Sequence, residues 1–414
     1  MPISDNYRAR LGPHLEQIAE HFGTPFHIYD EIGIRDTAKR LNAVFSDFRF
    51  KEYFATKALP NPCILAILRQ ESCGFDCSSI AELILARQVG ARGDAIMFTS
   101  NNTHPDEFAI ALADGGCIIN LDDISALDHL PHLPERLSFR LNSGRDMGNA
   151  IIGKPEEAKF GIPREFILDA YREAQQQGVR RFGLHTMIVS NERQVETHLA
   201  SVAGLCQLAD TLRDTLGISL EFINIGGGLG IPYHPDDPPL DLDALAQGVR
   251  NLWQKHDLQD VQLMMESGRY MTAPHGVLIT RAINRKHSYR TYVGVDASMS
   301  ALMRPGMYGA YHHAEVIGTG VSALTETVDI VGALCENNDK FAVQRQLPRI
   351  TIGDLLMIHD TGAHGHAMGF NYNGRLRPQE LLLCADGSVE RIRRAETLDD
   401  YFATLNFEHK RWQA

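Results

Sequence analysis

Eight short β-type runs alternate with segments of helical periodicity between residues 53 and 265, and this alternation limits the folds open to the chain. The runs cover residues 53–55, 74–76, 95–99, 117–121, 137–141, 182–184, 222–225 and 263–265. Strands that alternate with helices form parallel βα units, and eight such units in roughly 250 residues match a closed (β/α)8 barrel. An open doubly wound sheet is the alternative, but its glycine fingerprint normally follows the first strand, whereas the glycine cluster here follows the seventh.

The pattern changes after about residue 276, where β-type runs continue without long helical segments between them. These runs cover residues 277–283, 292–295, 313–317, 327–334, 355–360 and 380–384. Such a series predicts a second, mostly antiparallel β domain. A chain of 414 residues is also too long for one ordinary hydrophobic core. We therefore expect an α/β fold with a barrel over residues 28–275 and a β domain over 276–414.

The charge balance and the N-terminal sequence argue against two classes of partner. The chain carries 52 acidic and 40 basic residues, for a formal net charge of -12, and no basic stripe that could neutralise phosphates. It has no apolar signal core and no stretch long enough to span a bilayer. Its seven cysteines are scattered without a CxxC pair, which is typical of a reducing compartment. We expect a cytoplasmic protein without nucleic-acid or membrane partners.

Chemically informative side chains stand where the predicted barrel strands end, which is where (β/α)8 barrels carry their functional residues. They are Lys57, Asp76, Arg140, His185 and Glu266, whereas ordinary loop starts are mostly Gly, Asn, Asp and Ser. Lys57 alone would be taken for a solvated lysine, because lysine side chains are mostly exposed. Beside the other four it is a candidate for a partly desolvated amine with a depressed pKa, suited to Schiff-base chemistry.

Two further motifs follow the seventh and eighth strands. Gly226, Gly227 and Gly228 could form a tight turn, but three successive glycines also let backbone N–H groups approach a phosphate closely. Glu266 in the ESGR motif could cap a loop or hold a heteroaromatic nitrogen protonated, and Arg269 could bind a phosphate or a substrate carboxylate. The sequence has no GxSxG, HExxH or P-loop motif, and no Cys/His spacing that predicts a metal site.

Taken in order, these motifs resemble those of the fold-type III pyridoxal-phosphate (PLP) decarboxylases, and among them the diaminopimelate decarboxylases. The resemblance runs from about residue 25 to 405 and rests on YFATKA, FDCSSIAE, the triple glycine, ESGR, VDASMSALMRPGMYGAYH and CENND. It implies a (β/α)8 TIM barrel that binds pyridoxal 5'-phosphate, with a C-terminal antiparallel β-barrel domain that residues 1–27 join. It also implies a homodimer with shared active sites.

The resemblance also implies a role for each matching residue. Lys57 would form a Schiff base with the cofactor, Glu266 would hold the ring nitrogen, and Cys335 of the partner chain would return a proton to the α-carbon. The other implied cofactor contacts are Asp76, with Glu82 nearby, and His185, Ser190, Gly226, Gly227, Gly228 and Arg269. The implied substrate contacts are Arg269, Arg304, Tyr308 and Glu336.

Two positions depart from the family pattern. The family's HCHIGSQ run, whose second histidine stacks on the cofactor ring, stands here as HTMIVSN, so Met187 occupies that position. The family's GAY tyrosine, a phosphate contact, is replaced by His364. His185 or the sulfur of Met187 could cover the ring instead, and Tyr372 could supply the missing phosphate contact.

The substrate implied by the resemblance is meso-diaminopimelate, decarboxylated to L-lysine, because Arg304 is a suitable bidentate partner for its distal carboxylate. The alternative is a D-diamino acid such as D-ornithine or D-lysine, which would leave Arg304 partly unpaired. Racemisation is a different reaction class. The related alanine racemases place an arginine at the ring nitrogen, so the glutamate at position 266 argues against it. A PLP-binding protein without catalysis is disfavoured by the joint presence of Lys57, Glu266, Cys335 and Glu336.

Overall fold

The computed structural model describes residues 3–144, 157–318 and 324–405, so the ends of the predicted β domain at 1–2 and 406–414 lie outside the described residues. The chain divides into two compact units. The barrel unit comprises Ile32–Pro232 and Asp236–Ala273, and the sheet unit comprises Met1–Glu31, Tyr233–Pro235 and Pro274–Ala414. The domain boundaries expected after residues 27 and 275 stay a prediction.

Strand β1 (Phe26–Asp30) belongs to the sheet unit, and the strands that follow form a closed parallel ring in the barrel unit. In chain order the ring contains β2 (Phe50–Ala55), β3 (Gly74–Cys77), β4 (Gly93–Ser100), β5 (Cys117–Leu121), β6 (Arg136–Asn142) with the short β7 (Ile162–Pro163) beside its end, β8 (Arg181–Thr186), β9 (Leu220–Asn224) and β10 (Gln262–Met265). The ring closes because β10 pairs with β2. The predicted (β/α)8 barrel is confirmed.

Helices α1 (Asp5–Leu11) and α2 (Leu15–Phe22) precede β1. The helices that alternate with the barrel strands are α3 (Glu31–Val44), α4 (Pro62–Gln70), α5 (Ile80–Gln88), α6 (Pro105–Leu112), α7 (Ile167–Gln177), α8 (Val195–Leu216), α9 (Leu242–Lys255) and α10 (Arg269–Thr272). The side chain of Asn61 caps α4, and the side chain of Ser79 caps α5. Lys57, in a 3-10 turn just after β2, and Asp76, near the end of β3, therefore precede the α-helices that these caps begin.

An apolar core fills the interior of the barrel. It is a buried cluster drawn from five strands, namely Tyr53, Met97, Ile118, Phe222 and Met264. Two glycines make room for its rings: a Cβ on Gly74 would lie 2.7 Å from the ring of Tyr53, and one on Gly183 would lie 2.0 Å from the ring of Phe222. The polar side chains of the site stand beyond this core, at the carboxyl ends of the strands.

The sheet unit contains β11 (Gly276–His287), β12 (Thr291–Val295), β13 (Ala314–Val316), β14 (Thr325–Val331), β15 (Lys340–Pro348), β16 (Leu355–Ile358), β17 (Gln379–Leu383) and β18 (Val389–Arg393), with helices α11 (Arg304–Tyr308) and α12 (Leu398–Phe402). The main strand order is β15-β14-β12-β11-β1-β17-β18, and β16 pairs with both β11 and β13. The β1–β17 and β12–β14 pairings are parallel, and the others are antiparallel. The expected antiparallel domain is therefore a mixed sheet in which antiparallel pairing dominates.

Apolar side chains cover both faces of this sheet. Along β11, Val277 and Ile279 belong to a core that includes residues of α1 and α2, whereas Leu278 belongs to a core shared with β12, β14 and β15. The side chains of β16 alternate between the same two cores. A strand buried on both faces is a continuous apolar run, which is how these two strands look in the sequence.

The described part of the chain holds no helix that is long and apolar enough to cross a membrane. None of the seven cysteines, all of which lie in the described residues, forms a disulfide. Within the same residues, no group of three or more His, Cys, Asp or Glu side chains is placed to hold a metal ion.

Candidate active site

Lys57 and Asp76 meet at the carboxyl end of the barrel. Lys57 lies in the 3-10 turn after β2, and its Nζ is 3.5 Å from Oδ2 of Asp76 on β3. The Lys57 side chain is 55% exposed, whereas that of Asp76 is buried. Burial alone would lower the pKa of the Lys57 amine, but Asp76 and then Glu266 raise it, and the net shift is upward. The prediction that the pKa of Lys57 is depressed is therefore wrong for the chain without a cofactor.

Glu266, the first residue after β10, is buried and held from two sides. Its Oε2 lies 2.9 Å from Nε2 of His185 on β8, and its Oε1 accepts a 2.9 Å hydrogen bond from Nδ2 of Asn224 on β9. Burial opposes the charge of Glu266, but His185 and then Lys57 lower its pKa. Because an ionised carboxylate only accepts hydrogen bonds, Nε2 of His185 carries the hydrogen. The site thus holds one ionised carboxylate in a fixed place.

Asp76 differs from Glu266 although both are buried carboxyls. Burial, and next the charge of Glu266, raise the pKa of Asp76, and Lys57 only partly opposes this. Its Oδ1 is buried and has no hydrogen-bond partner among the described residues. Two neighbouring carboxyls whose pKa values are pushed apart are typical of sites that move protons. Asp76 is therefore the carboxyl better suited to exchange a proton near Lys57.

The glycine loop, Gly226–Gly228, follows β9 and is crowded by neighbouring backbone. A Cβ on any of its three residues would lie within about 2.4 Å of a carbonyl oxygen, which accounts for the glycines without a ligand. The N–H of Gly226 donates to Oδ1 of Asn224 at 2.8 Å. The N–H of Gly227 faces the sulfur of Met187 at 3.2 Å. Because a thioether is a weak acceptor, the Gly227 amide is suited to bind an anion.

Arg140 on β6 fixes the segment that contains Met187. Its Nη2 donates to the carbonyl oxygen of Met187 at 3.0 Å, and its Nη1 lies 3.4 Å from Oδ1 of Asp122. Its guanidinium also lies over the ring of Phe160, 4.7 Å from the ring centre. The residue in the predicted ring-stacking position is thus held through its backbone, whereas its thioether points to the glycine loop.

The other predicted barrel residues follow the same strand ends. Ser190 lies half-buried in the turn after β8, and Arg269 is buried at the start of α10. Glu82 accepts hydrogen bonds from the backbone N–H and the hydroxyl of Ser78 at 2.7 and 3.1 Å. Its carboxylate is thus occupied at the start of α5, and Glu82 acts on Lys57 through its charge alone.

A second group of predicted residues lies together in the sheet unit. Helix α11 carries Arg304 at its first residue and Tyr308 at its last. It packs against the turn after Glu336, since a Cβ on Gly306 would lie 2.5 Å from the carbonyl oxygen of Asn338. The exposed Cys335 donates its backbone N–H to Oδ1 of Asn373 at 2.7 Å. Cys335 therefore lies beside the turn that contains the half-exposed Tyr372.

Arg304 is buried and has hydrogen-bond partners within the sheet unit. Its Nη1 donates to Oη of Tyr233 at 2.6 Å and lies 3.1 Å from Nε2 of His312. Nδ1 of His312 lies 2.8 Å from the carbonyl oxygen of His359, so Nδ1 carries the hydrogen and Nε2 accepts from Arg304. The guanidinium is thus fixed before any substrate binds. His364, in the position of the family's tyrosine, is half-buried with a φ of +55°.

A family model described as the pyridoxal-binding domain of the pyridoxal-dependent decarboxylases matches residues 32–273. The chain belongs to this family. It is 49% identical to Protein TabA of Pseudomonas amygdali pv. tabaci over 99% of this chain and 97% of that protein. It is 37% identical to the diaminopimelate decarboxylase of Methanothermobacter thermautotrophicus, over 95% of this chain and 94% of the relative. The protein is a PLP-dependent decarboxylase.

Solved structures show the same architecture. The diaminopimelate decarboxylase of M. jannaschii in complex with L-lysine has a TM-score of 0.88 at 29% identity, over 95% of this chain and 94% of that chain. The Helicobacter pylori enzyme complexed with L-lysine also has a TM-score of 0.88, at 28% identity, over 94% and 98%. The fold predicted from the resemblance is therefore the fold of this family.

The polar groups of the barrel unit fit PLP. Lys57 supplies a primary amine, Glu266 a buried carboxylate that stays ionised, and Gly227 an amide with a weak acceptor. Nδ1 of His185 and Oδ1 of Asp76 are buried polar atoms without a hydrogen-bond partner in the described ranges. A cofactor with an aldehyde, a basic ring nitrogen and a phosphate suits this donor set.

Sequence reasoning missed two residues that hold the site together. Asn224 links Glu266 to the N–H of Gly226, and Glu52 contacts the residue after Glu266. Asn224 could have been found, because it is a polar residue at the end of an apolar strand. Glu52 gave a weaker signal, since it precedes the β-type run at residues 53–55, and a charged residue next to such a run is usually taken for an exposed position.

Proposed function

We propose that this decarboxylase converts meso-diaminopimelate to L-lysine. The supporting observation is the buried, pre-positioned guanidinium of Arg304 in a chain that is 37% identical to a diaminopimelate decarboxylase. Arginine binds a carboxylate through two parallel hydrogen bonds, and this substrate carries a carboxylate at its distal end. Arg304, Tyr308 and Glu336 would bind the distal end, with Arg269 for a carboxylate or phosphate.

PLP supplies the electron sink that makes loss of the α-carboxylate possible. Glu266 would keep a proton on the ring nitrogen, because its carboxylate is held ionised between His185 and Asn224. Lys57 would hold the cofactor covalently, and Asp76 would take or return the proton of the Lys57 amine. Gly226, Gly227 and Gly228, with Ser190 and Tyr372, are the proposed phosphate contacts.

Cys335 is the proposed acid that returns a proton to the α-carbon, and we assign it to the partner subunit of a homodimer. The exposure of its thiol on the sheet unit supports this proposal. Tyr308, which we place in the same site, is 42% exposed. Aromatic side chains are enriched at protein interfaces, and two-fold symmetric dimers are the commonest oligomers.

A D-diamino acid such as D-lysine or D-ornithine is the second candidate substrate. It is favoured by the hydrogen bonds that Arg304 already makes to Tyr233 and His312. With these partners, Arg304 would stay hydrogen-bonded even if the substrate had no distal carboxylate.

The substrate is tested by measuring CO2 release from meso-diaminopimelate, D-lysine and D-ornithine at equal concentrations. We expect meso-diaminopimelate to give the highest kcat/KM, and Arg304→Met to raise its KM more than that of D-lysine. Lys57→Ala is the inactive control. A large preference of the wild type for D-lysine or D-ornithine would replace the first proposal with the second, and no CO2 from any of the three would contradict both.

The shared site is tested by mixing inactive variants. Lys57→Ala and Cys335→Ala homodimers should each be inactive, whereas random reassortment should restore up to about a quarter of wild-type activity if each site draws on both chains. Subunit exchange is verified with two differently tagged chains. Proven exchange without any recovery would contradict the shared site.

A further inference from the structure

Glu52 is a buried acid that the reaction described above does not use. It lies on β2, five residues before Lys57, and is 1% exposed. Its neighbour Tyr53 points into the barrel interior with the core cluster. Because successive side chains of a strand point to opposite faces, Glu52 lies on the outer face of the ring, between strands and helices. A carboxyl in this layer costs free energy unless it has a specific partner.

The partner of Glu52 is the turn that carries Glu266. Strand β2 pairs in parallel with β10, with Glu52 opposite Met265. Oε1 of Glu52 accepts a 2.6 Å hydrogen bond from the backbone N–H of Ser267. Since a buried N–H without a partner is costly, this bond fixes where the chain turns after Glu266.

Two more contacts tie the same turn to the segment around Lys57. The carbonyl oxygen of Ser267 accepts a hydrogen bond from the N–H of Ala55 at 3.3 Å. Gly268 lies so close to the segment that a Cβ on it would be 2.8 Å from the Cβ of Ala58. Glu52, Ala55 and Ala58 therefore hold the Glu266 turn against the chain that carries Lys57.

The charge state of Glu52 agrees with this arrangement. Burial raises the pKa of Glu52 well above its ordinary value, and the charge of Glu266 raises it further. The hydrogen bond from Ser267 opposes this shift only in part. A neutral carboxyl can accept the Ser267 N–H without placing a second anion behind Glu266. Like charges so close would compete for one proton.

We propose that Glu52 is a positioning residue that sets the place of the Glu266 carboxylate relative to Lys57 by holding the N–H of Ser267. This inference rests on the proposed cofactor chemistry of Lys57 and Glu266. It adds a residue that touches neither substrate nor cofactor and acts through the backbone of the turn.

The test compares Glu52→Gln with Glu52→Met in the full-length protein. Glutamine keeps an oxygen for the Ser267 N–H and is neutral, whereas methionine has a similar length and no acceptor. We expect Glu52→Gln to match the wild type. We expect Glu52→Met to weaken PLP binding about tenfold, as one lost hydrogen bond to a buried amide would. We also expect it to reduce the visible circular dichroism of the bound cofactor, which depends on a fixed ring orientation.

Asp329→Leu is the matched control for general destabilisation. Asp329 is fully buried on β14 of the sheet unit and accepts a 2.8 Å hydrogen bond from the N–H of Gln344. The Asp329→Leu substitution should lower the melting temperature without changing the affinity for PLP or the circular dichroism per bound cofactor.

Three outcomes separate this inference from the proposed function. If Glu52→Met lowers only the melting temperature, as the control does, then Glu52 is structural and the inference fails while the proposed function stands. If Glu52→Gln is as defective as Glu52→Met, the carboxyl acts by charge and the positioning role is wrong. A wild type that binds no PLP would contradict the proposed function itself.

Discussion

Asp76→Asn gives a direct test of how the barrel tunes Lys57. The two side chains lie 3.5 Å apart, and unit charges at that distance interact by about 1.2 kcal/mol in water and about 4.7 kcal/mol at an effective dielectric of 20. Because the Lys57 side chain is 55% exposed, solvent screens the pair and the lower figure is the better guide. Loss of Asp76 should then lower the pKa of the Lys57 amine by about one unit.

The assay is the rate at which the cofactor-free enzyme captures PLP, followed by absorbance between pH 7 and 9. Only the neutral amine reacts, so the rate constant of Asp76→Asn should exceed that of the wild type by about tenfold at pH 8.5. The difference should shrink at lower pH, because the raised pKa of Asp76 lets it become neutral in the wild type as well. Added salt should reduce it further.

Glu82→Gln is the graded control for this experiment. Glu82 also raises the pKa of the Lys57 amine, but less than Asp76 or Glu266. It should therefore speed the capture of PLP by a smaller factor. Equal capture rates for Asp76→Asn and the wild type at every pH would refute the electrostatic argument, and a larger effect of Glu82→Gln would show that the wrong carboxylate had been identified.

Three more results are expected. Met187→Ala should tighten PLP binding about two- to tenfold, because the Met187 sulfur lies 3.2 Å from the Gly227 N–H that we propose as a phosphate contact; weaker binding would mean that the sulfur covers the cofactor ring instead. Cys335→Ala should lower kcat at least about 100-fold while PLP content stays normal, and loss of PLP would contradict its role as an acid. Burial opposes the charge of Glu315, but hydrogen bonds from His359 and Arg8 lower its pKa to about 2. Glu315 thus stabilises the folded protein above about pH 4.5, and this stabilisation is lost toward pH 2. Glu315→Gln should therefore lower the free energy of unfolding, measured in urea, by about 2 kcal/mol at pH 7 and by much less at pH 2.

The barrel and the positions of the main candidate residues at its strand ends could be predicted because both depend on local sequence. Each buried parallel strand is a short apolar run, and the residue that ends it lies at the mouth whatever the details of packing. Lys57, Asp76 and Glu266 were located in this way. Their resemblance to known motifs then supplied chemistry that position alone could not.

The remaining features depend on distances between segments that are far apart in the sequence. The raised pKa of Lys57 follows from two carboxylates on other strands, which a strand-end rule does not measure. Asn224 and Glu52 act through single hydrogen bonds to neighbouring loops. The parallel pairing of β1 with β17 joins segments near opposite ends of the chain, and no local pattern encodes such a pairing.

That pairing bears on how the protein is made. Strand β1 lies between β11 and β17, opposite Val277 on one side and Leu381 on the other. During synthesis β17 leaves the ribosome roughly 20 to 70 seconds after β1, at about 5–20 residues per second. Until then β1 has an unpaired edge, and an unpaired edge is a site of aggregation. A lower expression level or a co-expressed chaperone should therefore reduce aggregation through this first strand, although β1 lies outside the barrel that carries Lys57.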